Sequence, residues 1–160
     1  MKKPILLTIT AFFLINATTD RPAKTLKEVY KNAFKMGCSV NDAIVSGRDS
    51  ISYKLVLQQF NSITAENVLK AETLNPRPGV WNFAPADAFV QFGQENNLFI
   101  IGHTLVWHNQ TPDWFFNDEN GKPKAPEAVV EKMRSYIETV AERYKGKVNA
   151  RSAEHTSALQ

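Results

Sequence analysis

The sequence predicts an α/β fold built on a parallel sheet. Predicted strands and helices alternate along the chain, which is the order that such folds require. The segment LFIIGHTLV is apolar on both faces of a strand, as in strands that helices cover on both sides. The 160 residues have the length of one domain, and the apolar and charged fractions, 43% and 22%, are those of a soluble globular protein. Disordered, collagenous and coiled-coil chains are therefore excluded.

The N-terminal residues have the pattern of a secretory signal peptide. Lys2 and Lys3 precede the apolar run ILLTITAFFLI, and small residues follow it. We expect residues 1–17 to be removed and the mature protein to be secreted or periplasmic. No second apolar stretch of about 18 residues follows, so no membrane anchor is expected. Loss of the two lysines lowers the formal net charge from +3 to +1, and the remaining cations alternate with acids, so neither nucleic acid nor a membrane is an expected partner.

The first half of the chain predicts two helices and two strands. In TLKEVYKNAFK, Thr25 is a helix N-cap with Glu28 three residues later, and apolar residues follow at helical spacing as far as Phe34. The run MGCSV predicts a buried strand that ends at the polar residues Asn41 and Asp42. YKLVLQQ then predicts a helix, and FNSIT a second strand.

The second half continues the alternation. NPRPGVWN predicts a turn, and in APADAFVQFGQENN Pro85 suits the first turn of a helix with an apolar stripe of Ala88, Phe89 and Phe92. LFIIGHTLV predicts the third strand, and KVNA begins a fourth. Between them a long amphipathic helix is predicted, ended by Gly146, with an apolar stripe of Val129, Val130, Met133, Tyr136, Ile137, Val140, Ala141 and Tyr144.

Polar residues follow the second and third predicted strands. Glu66, Asn67 and Lys70 come after the second strand, and GHTLVWHNQTPDWF contains the end of the third strand and its loop. In parallel α/β folds the chemistry gathers at the carboxyl ends of strands, so both segments are candidate sites. No dinucleotide-binding or phosphate-binding glycine loop is present in the sequence.

Strand alternation argues against a metal site at the two histidines of this segment. If Leu98 to Val106 is extended, His103 and Trp107 point to one side and His108 to the other, so the histidines do not converge. Neither a metal nor a cofactor is therefore predicted.

Two interpretations of each polar segment remain open. His103 and the tryptophans could form a packed core, or they could form a platform on which an aromatic face packs against a sugar ring and polar groups bind its hydroxyls. Glu66 and Lys70 could form an ordinary ion pair four residues apart on a helix, or they could reach the same site.

Four blocks of the sequence resemble successive blocks of the xylanases of glycoside hydrolase family ten. In chain order they are FNSITAENVLKAE, WNFAPADAFVQFGQENN, GHTLVWHNQTPDWF and YKGKVNA, and the resemblance covers about residues 25–150. It implies a (β/α)8 barrel, of which this chain holds about the first three βα units, and retaining hydrolysis of β-1,4-xylan by two glutamates. It also implies a protein that is monomeric when full length and needs no cofactor. The residues that match family positions on the non-reducing side of the scissile bond are Glu66, Asn67, Lys70, His103, Trp107 and Gln110. Trp114 matches a structural position.

The resemblance stops after YKGKVNA. The family's Asn-Glu acid/base block falls on His155 and Thr156, and the nucleophile is expected on a later strand. No catalytic residue is therefore assigned, and the chain as written is expected to be inactive. The alternatives are a xylo-oligosaccharide-binding fragment or an unfolded product without function. The mostly polar end RSAEHTSALQ resembles a translated sequencing adapter, so we interpret 18–150 as barrel sequence and 151–160 as an artefactual tail.

Overall fold

The computed structural model describes residues 23–151 and contains a parallel sheet. Within these residues four strands pair in chain order: β1 (Gly37–Val40), β2 (Ser62–Ala65), β3 (Phe99–Gly102) and β4 (Ala150–Arg151). Each strand pairs in parallel with the next. The predicted α/β class and the order of its strands are confirmed. The predicted signal peptide, 1–17, and residues 152–160 lie outside the described residues, whereas Arg151, predicted to begin the tail, is the second residue of β4.

Helices connect the strands. In chain order the helices of the described part are α1 (Leu26–Val29), α2 (Asp42–Val45), α3 (Ser50–Gln59), α4 (Ala71–Leu74), α5 (Ala84–Glu95) and α6 (Pro126–Arg143), and a single 3₁₀ turn covers Asp113–Phe115. The predicted helices at α3, α5 and α6 are confirmed. The short helices α2 and α4 were not predicted. None of the helices between residues 23 and 151 is both long and apolar enough to cross a membrane.

Helices cover one face of the sheet. Ile63 of β2 and Ile100 of β3 are paired in register, and both are almost fully buried in the core that α3, α5 and α6 share with the sheet. Gly93 of α5 lies over this pair, because a Cβ there would come within 2.5 Å of an Ile100 side-chain carbon. Glycine therefore lets α5 approach the sheet closely.

The opposite face of the sheet is more open. Phe99 and Ile101 of β3 are only half-buried, and Ser39 of β1, which pairs in register with Thr64, is exposed. The prediction that β3 is covered on both faces is therefore wrong for the described residues. The reason is that the helices pack on one side only, whereas the other side is the one that lines the inside when such a sheet curves into a barrel.

Two predicted helical patterns are only partly correct. α1 ends at Val29 although helical spacing continues to Phe34, and Phe34 is 57% exposed. An apolar pattern extends a helix only where a neighbouring surface buries it. The predicted N-terminus holds, because the Thr25 backbone N–H donates to the Glu28 carboxylate at 2.8 Å. Ala88 of α5 and Val130 of α6 are exposed rather than part of their buried stripes.

Asn149 joins β4 to the sheet with two hydrogen bonds to Ile100. Its backbone N–H donates to the Ile100 carbonyl at 2.9 Å, and its side-chain Oδ1 accepts from the Ile100 N–H at 2.8 Å. α6 ends before Gly146, whose φ of 72° is the left-handed conformation that commonly ends a helix, as predicted.

Candidate functional site

The two polar segments meet at one edge of the sheet. Glu66 follows the last residue of β2 and His103 follows the last residue of β3. Because β2 and β3 are parallel neighbours, their carboxyl ends lie side by side. The Glu66 N–H also donates to the Val40 carbonyl at 3.0 Å, which connects the end of β2 to the end of β1.

Three predicted site residues form a closed set of hydrogen bonds, which we call the polar triangle: Asn67, Lys70 and Gln110. Lys70 Nζ donates to Asn67 Oδ1 at 3.1 Å and to Gln110 Oε1 at 2.5 Å. Gln110 Nε2 also donates to Asn67 Oδ1 at 3.1 Å. The polar triangle thus joins residues from the loops after β2 and β3.

Trp107 lies against the polar triangle. The Lys70 ammonium is 5.1 Å from the centroid of the Trp107 ring, within the range of a cation–π contact. Lys70 is only 9% exposed, and in residues 23–151 its contacts are amides and an indole, with no carboxylate. The site is therefore a positively charged group set between neutral polar groups and an aromatic ring.

Backbone contacts hold the two loops together. The Glu72 N–H donates to the Gln110 carbonyl at 2.8 Å, and Gln110 has a φ of 53°, which is uncommon for a residue with a side chain. The Thr111 hydroxyl donates to the Trp107 carbonyl at 2.6 Å and closes the turn between them. These bonds fix the direction in which the Gln110 side chain leaves its loop.

The remaining predicted site residues lie at the same edge. His103 is half-buried beside the end of β3, and Glu66 is exposed beside the end of β2. The helical ion pair considered for Glu66 and Lys70 is not formed, because residues 66–70 are turns and bends and Lys70 binds Asn67 and Gln110 instead. Of the two interpretations left open for Lys70, the ion pair along one helix is therefore wrong, and its side chain instead joins two loops.

The contacts of His108 in residues 23–151 are with its chain neighbours Trp107 and Asn109. Its exposed ring packs edge-on against Trp107, with ring centroids 5.5 Å apart, and its Nε2 is 3.2 Å from the Asn109 side-chain nitrogen. Among residues 23–151, no three His, Cys, Asp or Glu side chains are grouped so that they could hold a metal ion.

Sequence reasoning missed a second cluster, which lies further along the two loops that carry the polar triangle. Lys132 Nζ donates to the fully buried Asn75 at 2.9 Å and lies 4.2 Å from the centroid of the Trp114 ring. The signal was present, because Lys132 interrupts the apolar stripe of α6 between Val129 and Tyr136 at helical spacing.

The family of the chain follows from comparison with known proteins. A model of Glycosyl hydrolase family 10 matches residues 25–151. The chain belongs to this family. Endo-1,4-beta-xylanase A of Thermotoga maritima is 44% identical over 149 residues, a match that covers 89% of this chain and 14% of that protein. This chain therefore spans about one seventh of that relative, and its resemblance to the family, stated above from four sequence blocks, is confirmed.

Solved structures of family 10 members have the same architecture. A GH10 endoxylanase from a sugarcane soil metagenome aligns with a TM-score of 0.75 and 38% identity over 81% of this chain and 39% of its own. A mutant solved in complex with xylotriose aligns with a TM-score of 0.72 and 38% identity over 79% of this chain and 38% of its own. The family 10 relatives are (β/α)8 barrels, so the four-stranded sheet is part of such a barrel.

Proposed function

We propose that residues 23–151 are the part of an endo-1,4-β-xylanase that holds xylan or xylo-oligosaccharide on the non-reducing side of the scissile bond. The observation that carries the proposal is the polar triangle beside Trp107, at the carboxyl ends of two barrel strands. Membership of the family and the xylotriose complex of one relative support the choice of sugar. Glu66 and His103, at the same edge, are proposed to complete this surface.

The chemistry of the side chains suits a pyranose. The face of an indole packs against the C–H face of a sugar ring, while ammonium and amide groups donate to and accept from its hydroxyls. Lys70 and Trp107 supply these two kinds of contact next to each other, at 5.1 Å. Because the hydrogen bonds of the polar triangle already fix three of the side chains, little ordering is needed when a sugar binds.

We propose further that the 160-residue polypeptide binds sugar without cleaving it. Retaining hydrolysis needs two carboxyl groups about 5–5.5 Å apart across the glycosidic bond. The family's acid/base block falls on His155 and Thr156 of this sequence, and neither is a carboxylic acid. We also propose that residues 1–17 act as a signal peptide for export and that the full-length protein is a monomer.

Calorimetric titration with xylotriose tests the binding proposal. Trp107→Ala should raise the Kd about tenfold or more, because a buried aromatic anchor commonly contributes more than 1 kcal/mol. Arg134→Met, at an exposed position of α6 where Arg134 pairs with Glu131, is the control and should leave the Kd unchanged. Equal Kd values for the two variants would show that Trp107 does not contribute to sugar binding.

Two further measurements test the other parts of the proposal. Circular dichroism with a thermal melt distinguishes a folded binding fragment from an unfolded chain, because binding requires a cooperative fold. Release of reducing sugar from xylan by the purified polypeptide, above the level of the Trp107→Ala variant, would contradict the proposed lack of hydrolysis.

A further inference from the structure

A second group of contacts lies further along the two loops that carry the polar triangle; we call it the Lys132 junction, consisting of Lys132, Asn75 and Trp114. Lys132 Nζ donates to Asn75 Oδ1 at 2.9 Å, and Trp114 Nε1 donates to the Asn75 carbonyl at 3.2 Å. The Lys132 ammonium lies 4.2 Å from the Trp114 ring centroid and 4.8 Å from that of Phe115. The junction thus joins α6 to the loops after β2 and β3.

Asn75 uses all of its polar groups in this arrangement. Beyond the two contacts above, its Nδ2 donates to the Val80 carbonyl at 2.7 Å and to the Arg77 carbonyl at 3.3 Å. Its backbone N–H donates to the Ala71 carbonyl at 2.8 Å. Because Asn75 is fully buried, loss of Lys132 would leave its Oδ1 without a partner and loss of the Trp114 N–H would leave its carbonyl without one, each at a cost of about 1–3 kcal/mol.

The charge of Lys132 is held by neutral groups. In the described part of the chain its contacts are an amide oxygen and aromatic faces, with no carboxylate. Burial lowers the pKa of Lys132, and the nearby charge of Lys124 lowers it further. Lys124 itself donates to the Trp114 carbonyl, so two lysines hold this tryptophan. Partial withdrawal of a lysine from water without a nearby acid costs free energy.

In each of the two loops, the Lys132 junction is close in sequence to the polar triangle. From Asn75, the single turn of α4 leads back to Lys70. From Trp114, four residues lead back to Gln110. The Glu72 to Gln110 backbone bond connects the two segments between the junction and the triangle. A shift of Asn75 relative to Trp114 would therefore separate Lys70 from Gln110.

We propose that Lys132 is a positioning residue for the sugar site. It fixes the loops after β2 and β3 relative to each other so that Asn67, Lys70 and Gln110 meet before sugar arrives. Lys132 does not touch the sugar, and its effect on affinity comes from preorganisation of the groups that do. This inference rests on the proposed function for its effect on binding, but the placement of the loops can be measured without sugar.

The test compares three variants of the 160-residue chain with the unaltered protein. Lys132→Met keeps the apolar stem and removes the cation, while Lys132→Arg keeps a cation and a donor. Arg134→Met is the control, because it removes a cation from the exposed side of the same helix, where the Arg134 side chain is 63% exposed. The readouts are the NMR signals of the Trp107 indole N–H and the Gln110 side-chain amide, and the Kd for xylotriose.

We expect Lys132→Met to shift both NMR signals and to raise the Kd about tenfold, because the variant loses a part-buried hydrogen bond from a charged group. Lys132→Arg should keep both NMR signals and the Kd close to those of the unaltered protein, and Arg134→Met should change none of them. A purely structural role would lower the melting temperature of Lys132→Met but leave the signals and the Kd of the folded protein unchanged. That result would overturn the proposal.

The outcomes for the two proposals can be separated. If the unaltered protein does not bind xylotriose, the proposed function fails, and the NMR signals still decide whether Lys132 positions the loops. If Lys132→Met does not fold, Trp114→Phe replaces it, since this variant keeps an aromatic ring at the junction and removes the N–H that donates to the Asn75 carbonyl. An unchanged Gln110 signal in folded Trp114→Phe would then overturn the proposal.

Discussion

Tyr136 shows how a single residue can be well packed and yet carry an unused polar group. It is fully buried, its ring stacks on Trp81 at 5.9 Å between centroids, and it meets Phe115 edge-on at 5.4 Å. Its hydroxyl has no hydrogen-bond partner among residues 23–151. Burial raises the pKa of this phenol, so the group stays neutral. The ring stabilises the core, whereas the hydroxyl carries a desolvation cost.

Tyr136→Phe should therefore leave the free energy of unfolding unchanged or raise it by up to about 1 kcal/mol, because a buried donor without a partner is removed. Tyr144→Phe is the matched control, since the Tyr144 hydroxyl donates to Asp87 Oδ1 at 3.1 Å. That control should lower the free energy of unfolding by about 1 kcal/mol. Denaturant melts measure both, and a loss above about 1 kcal/mol for Tyr136→Phe would show that its hydroxyl is bonded.

At the scale of elements, α5 and α6 are joined at the surface by one charged contact. The Arg143 guanidinium of α6 donates to both carboxylate oxygens of Asp87 in α5, and it also lies over the Phe83 ring at 4.2 Å from the centroid. Hydrogen bonding from Arg143, and then from Tyr144, lowers the pKa of Asp87 although partial burial opposes the shift.

This contact should make the packing of α5 on α6 sensitive to acid. The pKa of Asp87 is lower in the folded than in the unfolded protein, so its contribution is complete above the unfolded pKa of about 3.9 and is lost as the pH falls through the folded pKa. Both side chains are 41% exposed, so we expect only about 0.5–1 kcal/mol. Asp87→Asn should lower the melting temperature at pH 7. Below the folded pKa of Asp87 its melting temperature should equal that of the unaltered protein.

Thermal melts across this pH range measure the effect, with Glu131→Gln as the control. Glu131 pairs with Arg134 at 3.6 Å, and its side chain is 71% exposed, so its removal should change stability little at any pH. A constant difference between Asp87→Asn and the unaltered protein, down to the lowest pH, would show that the carboxylate charge is not the cause.

Helices and strands could be predicted where neighbouring residues carry the pattern. The hydrogen bonds of the site could not, because they join residues that are far apart in the chain. Helical spacing predicted α5 and α6, and Pro85 predicted the start of α5, because the apolar residues that each helix buries recur in consecutive turns. The polar edge was predicted from strand ends alone. The bond between Lys70 and Gln110 joins residues 40 positions apart and depends on the register of β2 with β3, which no local pattern contains. The short helix α4, which was not predicted, takes part in the same long-range contact. The Glu72 N–H in its first turn donates to the Gln110 carbonyl.

At the scale of the whole molecule, the described residues leave apolar surface uncovered. Ile51 is 81% exposed and Leu55 is 50% exposed, one turn apart on α3. Phe34, beyond α1, is also exposed, and a groove of about 700 Å³ with Tyr144 and Val148 in its lining runs along β4. An open sheet edge together with exposed apolar side chains favours association between molecules.

Ile51→Lys should therefore reduce self-association without changing stability. The free energy of unfolding should stay within about 0.5 kcal/mol, because exposed positions contribute little to it. Gln58→Lys adds the same charge to an exposed position of the same helix and removes no apolar surface, so it serves as the control. Sedimentation at several concentrations measures both variants, and equal association of the two would exclude Ile51 as a contact.

The two hydrogen bonds of Asn149 to Ile100 fix the register of β4 on β3, and with it the face of the sheet to which each β4 side chain points. Side chains of a strand alternate between its two faces, so a slip by one residue exchanges inside for outside at every later position. An edge strand as short as β4 has few backbone pairs of its own to resist such a slip. By placing a side-chain oxygen where a further backbone carbonyl would pair, Asn149 anchors the first step of β4 and so determines the faces of the sheet to which Ala150 and Arg151 point.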